Sequence, residues 1–193
     1  MRLHYKGKYD LNPESLPYKP HLPGAVAFKE AKDIKTLGII ANGLACVLLI
    51  PVVFLLYLRY GSSIFDGLLW GSVLSLLCIF PHELLHAICF KEDVYLYTDL
   101  KHGMCFVVGT ETMSKGRFIL MSLLPNLVFG FIPYIISLVI PSLPILGVFG
   151  AISIIMGVGD YYNIFNAATQ MPRGARTYLH RFNSFWYMPE QDA

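Results

Sequence analysis

Residues 81–86 read Pro-His-Glu-Leu-Leu-His, an order with a chemistry of its own. On a helix, His82 and His86 stand one turn apart on one face, so two imidazole nitrogens can grip one metal ion. Glu83 lies beside them, a carboxylate able to hold and deprotonate a water on that ion. A hydrolytic zinc site needs a third protein ligand and an open position. Asp160, in Met156-Gly-Val-Gly-Asp160-Tyr-Tyr-Asn163, is the best candidate, with Glu111, His102, Asp66 and Cys89 as rivals. Each rival has a plainer reading. Glu111 and His102 sit in a polar link, Asp66 lies at the far end of its segment, and Cys89 suits a buried free thiol. Asn126 follows Pro125, and its amide could orient a substrate backbone or steady an oxyanion, or could bond one helix to another. Asn163 is a candidate to support the Asp160 carboxylate, and Asn166 to cap or pack.

An apolar chain must position these groups. It has 193 residues, of which 55% are hydrophobic and 15% charged, against about a quarter charged in soluble domains. Mean hydropathy is +0.53. This balance excludes a soluble enzyme, a disordered chain and a small disulfide scaffold. A net charge of +2 argues against a nucleic-acid partner. Cys46, Cys78, Cys89 and Cys105 form no CxxC pair and read as free thiols in a reducing setting.

Four apolar runs, at about 37–58, 64–90, 118–140 and 143–168, are each long enough to cross a hydrocarbon core of about 30 Å. In lipid, backbone satisfaction makes them helices. The expected fold is therefore an all-α membrane protein of four transmembrane helices, with Pro51 kinking the first. Residues 1–36 read as a polar, proline-punctuated cytoplasmic arm without a cleavable signal, and 169–193 as a cytoplasmic or interfacial tail. Between the second and third runs, two β-prone stretches flank a turn at Gly103, predicting a membrane-associated β-hairpin over residues 94–108.

Basic residues orient the runs. With four spans and both termini in the cytoplasm, fourteen of the fifteen Lys and Arg residues lie inside and only Arg59 lies outside. Depth then becomes countable. His86 and His82 fall about 6–12 Å from the cytoplasmic edge, Asp160 about 12 Å and Asn126 about 13 Å, at helical rise. An ionisable side chain near a bilayer centre costs about 2.5–3.5 kcal/mol, so a cluster at one depth calls for a joint explanation, and a metal supplies one. The small residues Ser153, Gly157 and Gly159 would let the second and fourth helices approach closely.

At these residues the chain resembles the site-2 protease type of intramembrane metalloprotease. More narrowly, it is similar to the putative zincin peptidase family of bacterial membrane proteins. The resemblance rests on Pro81-His-Glu-Leu-Leu-His86, the apolar hairpin, Leu124-Pro125-Asn126, Gly159-Asp160 and the aromatic-basic tail. It implies zinc on His82, His86 and Asp160, with Glu83 as the catalytic base. Two features depart from the site-2 protease pattern, where the Asp sits in an Asn-x-x-Pro-x-x-x-x-Asp-Gly sequence: Gly159 directly precedes Asp160 with the Pro-Asn pair in the previous run, and no PDZ-like domain is present.

The expected function is zinc-dependent intramembrane proteolysis of membrane-embedded or membrane-proximal substrates in the cell membrane. The hairpin would offer an edge for an extended substrate strand, or serve as a lid or packing element. A different class of reading is a non-proteolytic metal-binding membrane protein: a sensor, a partner-holding subunit or a metal-transport module. Nothing in the sequence speaks to oligomeric state.

Overall fold

A computed structural model describes residues 1–99, 101, 103–140 and 142–189. His102, one of the rival ligands, lies outside them, as do the last four residues of the tail.

The helices are α1 (Ile34–Tyr60), α2 (Ile64–Leu77), α3 (Ile79–Ala87), α4 (Lys115–Pro125), α5 (Ile132–Val139), α6 (Pro144–Met156) and α7 (Val158–Gln170). Asp33 caps α1, its carboxylate accepting from Thr36 N–H at 2.8 Å. Gly61, with φ 55° and ψ −131°, ends α1 in a conformation that side-chain-bearing residues avoid. Lys115 Nζ donates to the Ala168 and Met171 carbonyls, each at 2.8 Å, so the start of α4 places a cation at the end of α7.

Among the described residues, two helical stretches are long and apolar enough to cross a membrane. They are Ile34–Ala87, with 54 residues, and Lys115–Val139, with 25. A third is added if α6 and α7, bent by 51° at their junction, form one broken span. The first stretch would measure about 80 Å if straight, more than two hydrocarbon cores of about 30 Å. The expected helix over 143–168 is thus a bent pair, interrupted at Gly157.

The chain is also not all-α. The hairpin exists as β3 (Val94–Asp99) and β4 (Met104–Gly109), with Leu96 opposite Val107. The N-terminal arm adds β1 (Leu3–Lys8) parallel to β3, so the sheet order is β1-β3-β4. A second sheet has the order β2-β7-β6-β5, from β2 (Val26–Ala27), β5 (Met113–Ser114), β6 (Arg176–His180) and β7 (Asn183–Tyr187). The arm and the tail are therefore folded together. Local propensity misses this because both partners of β1–β3, and of β2–β7, are remote in sequence.

Helix α6 packs between α2 and α5. A Cβ on Gly67 would lie 2.5 Å from the Pro144 carbonyl carbon, and one on Gly71 2.7 Å from the Val148 side chain. Those two glycines, not Gly157 and Gly159, let the second and fourth apolar runs approach. Gly159 faces open space and Gly157 faces the third run. Outward residues are apolar and bare: Ile50 is 72% exposed and Phe65 70%. Such a surface suits lipid rather than water. A separate core of Ala87, Phe90, Val94, Met113, Phe118, Ala167 and Met171 joins α3, α4 and α7 to the sheets.

Candidate metal centre

Helix α3 carries His82, Glu83 and His86. One potential ligand atom from each of the three lies within 4.8 Å of the others. Glu83 and His86 are buried, at 8% and 7% exposure. Asp160 stands in the first turn of α7, where a helix favours a carboxylate. It reaches both histidines: Oδ2 lies 3.2 Å from His82 Nε2, and Oδ1 lies 3.2 Å from His86 Nε2. Neighbouring ligands on a tetrahedral ion with bonds of about 2.0–2.1 Å are about 3.3–3.4 Å apart, so both Asp160–histidine separations suit ligands sharing one zinc. Two imidazoles and a carboxylate are also a donor set that zinc takes.

The surrounding bonds hold these groups in place. His86 Nδ1 hydrogen-bonds the Met121 carbonyl at 2.9 Å, which leaves Nε2 for a metal. Asn126 is 1% exposed, and its Nδ2 donates to Asp160 Oδ2 at 2.7 Å and to the Ser122 carbonyl at 3.0 Å. Both amide hydrogens are engaged, so Asn126 makes the helix-to-helix bond that its type also allowed. Its Oδ1 lies where Gly157 has no side chain; a Cβ there would sit 1.6 Å away. Asn163 lines the same cavity, with no hydrogen bond to Asp160 among the described residues.

The hairpin reaches the site from the other side. Val107 N–H, on β4, donates to Glu83 Oε2 at 3.0 Å. Because β3 lies on the opposite edge of β4, the free edge of the sheet runs past the motif. Gly109 lets the strand lie against Phe90, three residues past α3, whose ring stands 2.2 Å from where a Cβ would be. A cavity of about 510 Å³ borders His82, Glu83, His86 and Asp160 and extends along β4. A second, of about 140 Å³, meets His82 and Glu83 from between the helices, beside Ser75, Cys78 and Ser153.

The described rivals bond or lie elsewhere. Glu111 accepts from Lys91 N–H at 2.6 Å and Glu92 N–H at 3.0 Å, and pairs with Arg117. Burial works to raise its pKa, but the Arg117 bond and the two N–H groups hold it below the usual carboxylate value. Asp66 is exposed in the first turn of α2, about 24 Å along the helical stretch from His82 at helical rise. The Cys89 thiol donates to the Leu85 carbonyl. Burial, then the Glu83 charge, push the Cys105 thiol on β4 up to about 11, so it stays protonated. The Val107, Met121 and Gly157 contacts were not foreseen. Only the Met121 carbonyl had a sequence signal, in Pro125 four residues later.

Residues 73–176, more than half of the chain, match the family described as Putative zincin peptidase. The chain belongs to that family. No curated protein and no solved structure matches it. The family and the His-Glu-His group both point to zinc as the metal.

Proposed function

We propose that this zincin-family chain is an intramembrane zinc endopeptidase, resembling the site-2 protease type. Its substrates would be membrane-embedded or membrane-proximal proteins and peptides. The observation that carries the reading is Glu83 lodged between the two histidines and the free edge of β4, bonded to Val107 N–H. The ligands would be His82, His86 and Asp160. Zinc, when bound, supplies Lewis acidity that lowers the pKa of a water and polarises a carbonyl. Glu83 takes the proton from the attacking water and delivers it to the leaving amine.

An extended substrate would add to β4 as a further strand. Val107 N–H points away from β3, and alternation places the N–H groups of Cys105 and Gly109 on the same edge. Asn126 holds Asp160 rather than the substrate. Asn163, on the cavity wall, stays a candidate support for the carboxylate once metal is bound. Four spans with both termini cytoplasmic fit the bare apolar helix faces and the lysine and arginine distribution, and both sheets then lie on the cytoplasmic side.

A non-proteolytic metal-binding protein would use the same three ligands but leaves Glu83 without work. The deciding experiment is Glu83→Gln in proteoliposomes with a single-span test substrate. Turnover should fall by about 10²–10⁴-fold with zinc stoichiometry unchanged. Cleavage at the wild-type rate would reject the peptidase reading.

A further inference from the structure

Pro125 is buried within α4 and has no N–H. In an uninterrupted helix, the N–H of residue 125 would bond to the carbonyl of Met121. That carbonyl instead accepts from His86 Nδ1 at 2.9 Å. One residue on, Asn126 N–H bonds to the Leu123 carbonyl, not to Ser122. The Ser122 carbonyl then accepts the Asn126 side chain at 3.0 Å, and the same Nδ2 reaches Asp160 at 2.7 Å. A π-helical turn, Asn126–Phe131, follows and absorbs the shift in register before α5 resumes.

We infer that Pro125 is a positioning residue for the metal site, freeing two backbone carbonyls that orient His86 directly and Asp160 through Asn126. The inference rests on the reading of His82, His86 and Asp160 as the ligand set. The proline acts through what it withholds. An alanine at 125 would offer an N–H to Met121 O, in competition with His86, and would let the helix close toward Ser122. The histidine would lose the bond that fixes its tautomer, and the carboxylate its anchored partner. The 51° bend between α6 and α7 complements this defect, because Gly157 leaves room for the Asn126 side chain.

The test is zinc affinity of the full-length protein in detergent, by chelator competition, for wild type, Pro125→Ala and Pro133→Ala. Pro125→Ala should bind zinc about 10–100-fold more weakly, the usual cost of losing a ligand's supporting bond. Pro133→Ala restores an N–H in the same apolar run toward the Phe129 carbonyl, and should stay within about twofold of wild type. Equal affinities for wild type and Pro125→Ala would overturn the inference, as would an equal loss in both variants. Should Pro125→Ala fail to fold, ¹⁵N-histidine NMR of the zinc-loaded wild type decides. A His86 Nδ1–H protected from exchange, with Nε2 on the metal, supports the inference; coordination through Nδ1 overturns it. Neither readout depends on turnover, so failure of the peptidase reading in the Glu83→Gln assay is a separate result.

Discussion

The helices fall into two regions built on opposite rules. Away from the site, α1 runs 27 residues unbroken with Pro51 inside it, and α2 and α6 close on one another through Gly67 and Gly71. At the site, every contributing helix is broken. The α2–α3 junction falls at Cys78, four residues before His82; α4 gives way to a π turn at Asn126; and the α6–α7 junction falls at Gly157, three residues before Asp160. A regular helix spends its backbone donors and acceptors on itself. A helix in an apolar setting can offer polar backbone to a site only where its ladder is interrupted and something else satisfies the loose ends. The smooth region supplies close packing, and the broken region supplies acceptors and bends.

The sharpest way to break this comparison is to change chemistry without structure. Glu83→Gln should abolish most turnover, by about 10²–10⁴-fold, while thermal stability and zinc content stay at wild-type levels. A parallel loss of zinc would make Glu83 part of the metal-holding set instead. Next in size is Asp160→Ala, whose zinc affinity should fall by more than the about 10–100-fold typical of a lost supporting residue. Unchanged stoichiometry in metal analysis would remove Asp160 from the ligands.

A glycine pair separates the two regions directly. Gly157→Ala would place a methyl 1.6 Å from Asn126 Oδ1, and Gly71→Ala one 2.7 Å from Val148. Each should cost about 1–3 kcal/mol of stability through overpacking. Only Gly157→Ala should also weaken zinc binding, and Gly159→Ala, with nothing near its added methyl, should change neither. Melting curves and chelator competition on the three variants would show whether the regions are separable.

The smallest effect belongs to Glu111, which ties the end of α3 to α4 through Arg117. Its carboxyl is held below its ordinary value, so its stabilisation is full above about pH 4.3 and is lost as pH falls through the lower folded value. Glu111→Gln should lower stability at pH 7 by about 1 kcal/mol and flatten the acid side of the stability profile, measurable by denaturation across pH 3–7.

What could be read in advance follows the same division. The HExxH spacing needs only helical periodicity, and Asp160 emerged because depth can be counted in residues along apolar runs. The apolar runs themselves announce helices. The 51° bend did not show, since Gly157 and Gly159 look alike in sequence and only the Asn126 side chain tells them apart. The parallel pairing of Leu3 with Val94, across a proline-rich arm, depends on a long-range contact that neither propensity nor period encodes. Asn126 was ambiguous for a related reason. Its type allows either a substrate contact or a helix-to-helix bond, and the local helix defect decides where its amide points.

In the second sheet, β7 joins β2 to β6, and Thr177 and Ser184 help to wall the large cavity. Ribosomes release this chain from the other end, so the motif, Asp160 and every helix are made before that wall exists. That wall is complete only once residues 185 and 186 have been synthesised and have paired with Ala27 and Val26. Assembly order thus works as a timer: a half-made chain carries the ligands but not the enclosure. A chain truncated after Gln170 should insert its helices yet fail to retain zinc as the full protein does, and wild-type retention by that fragment would show that enclosure is dispensable.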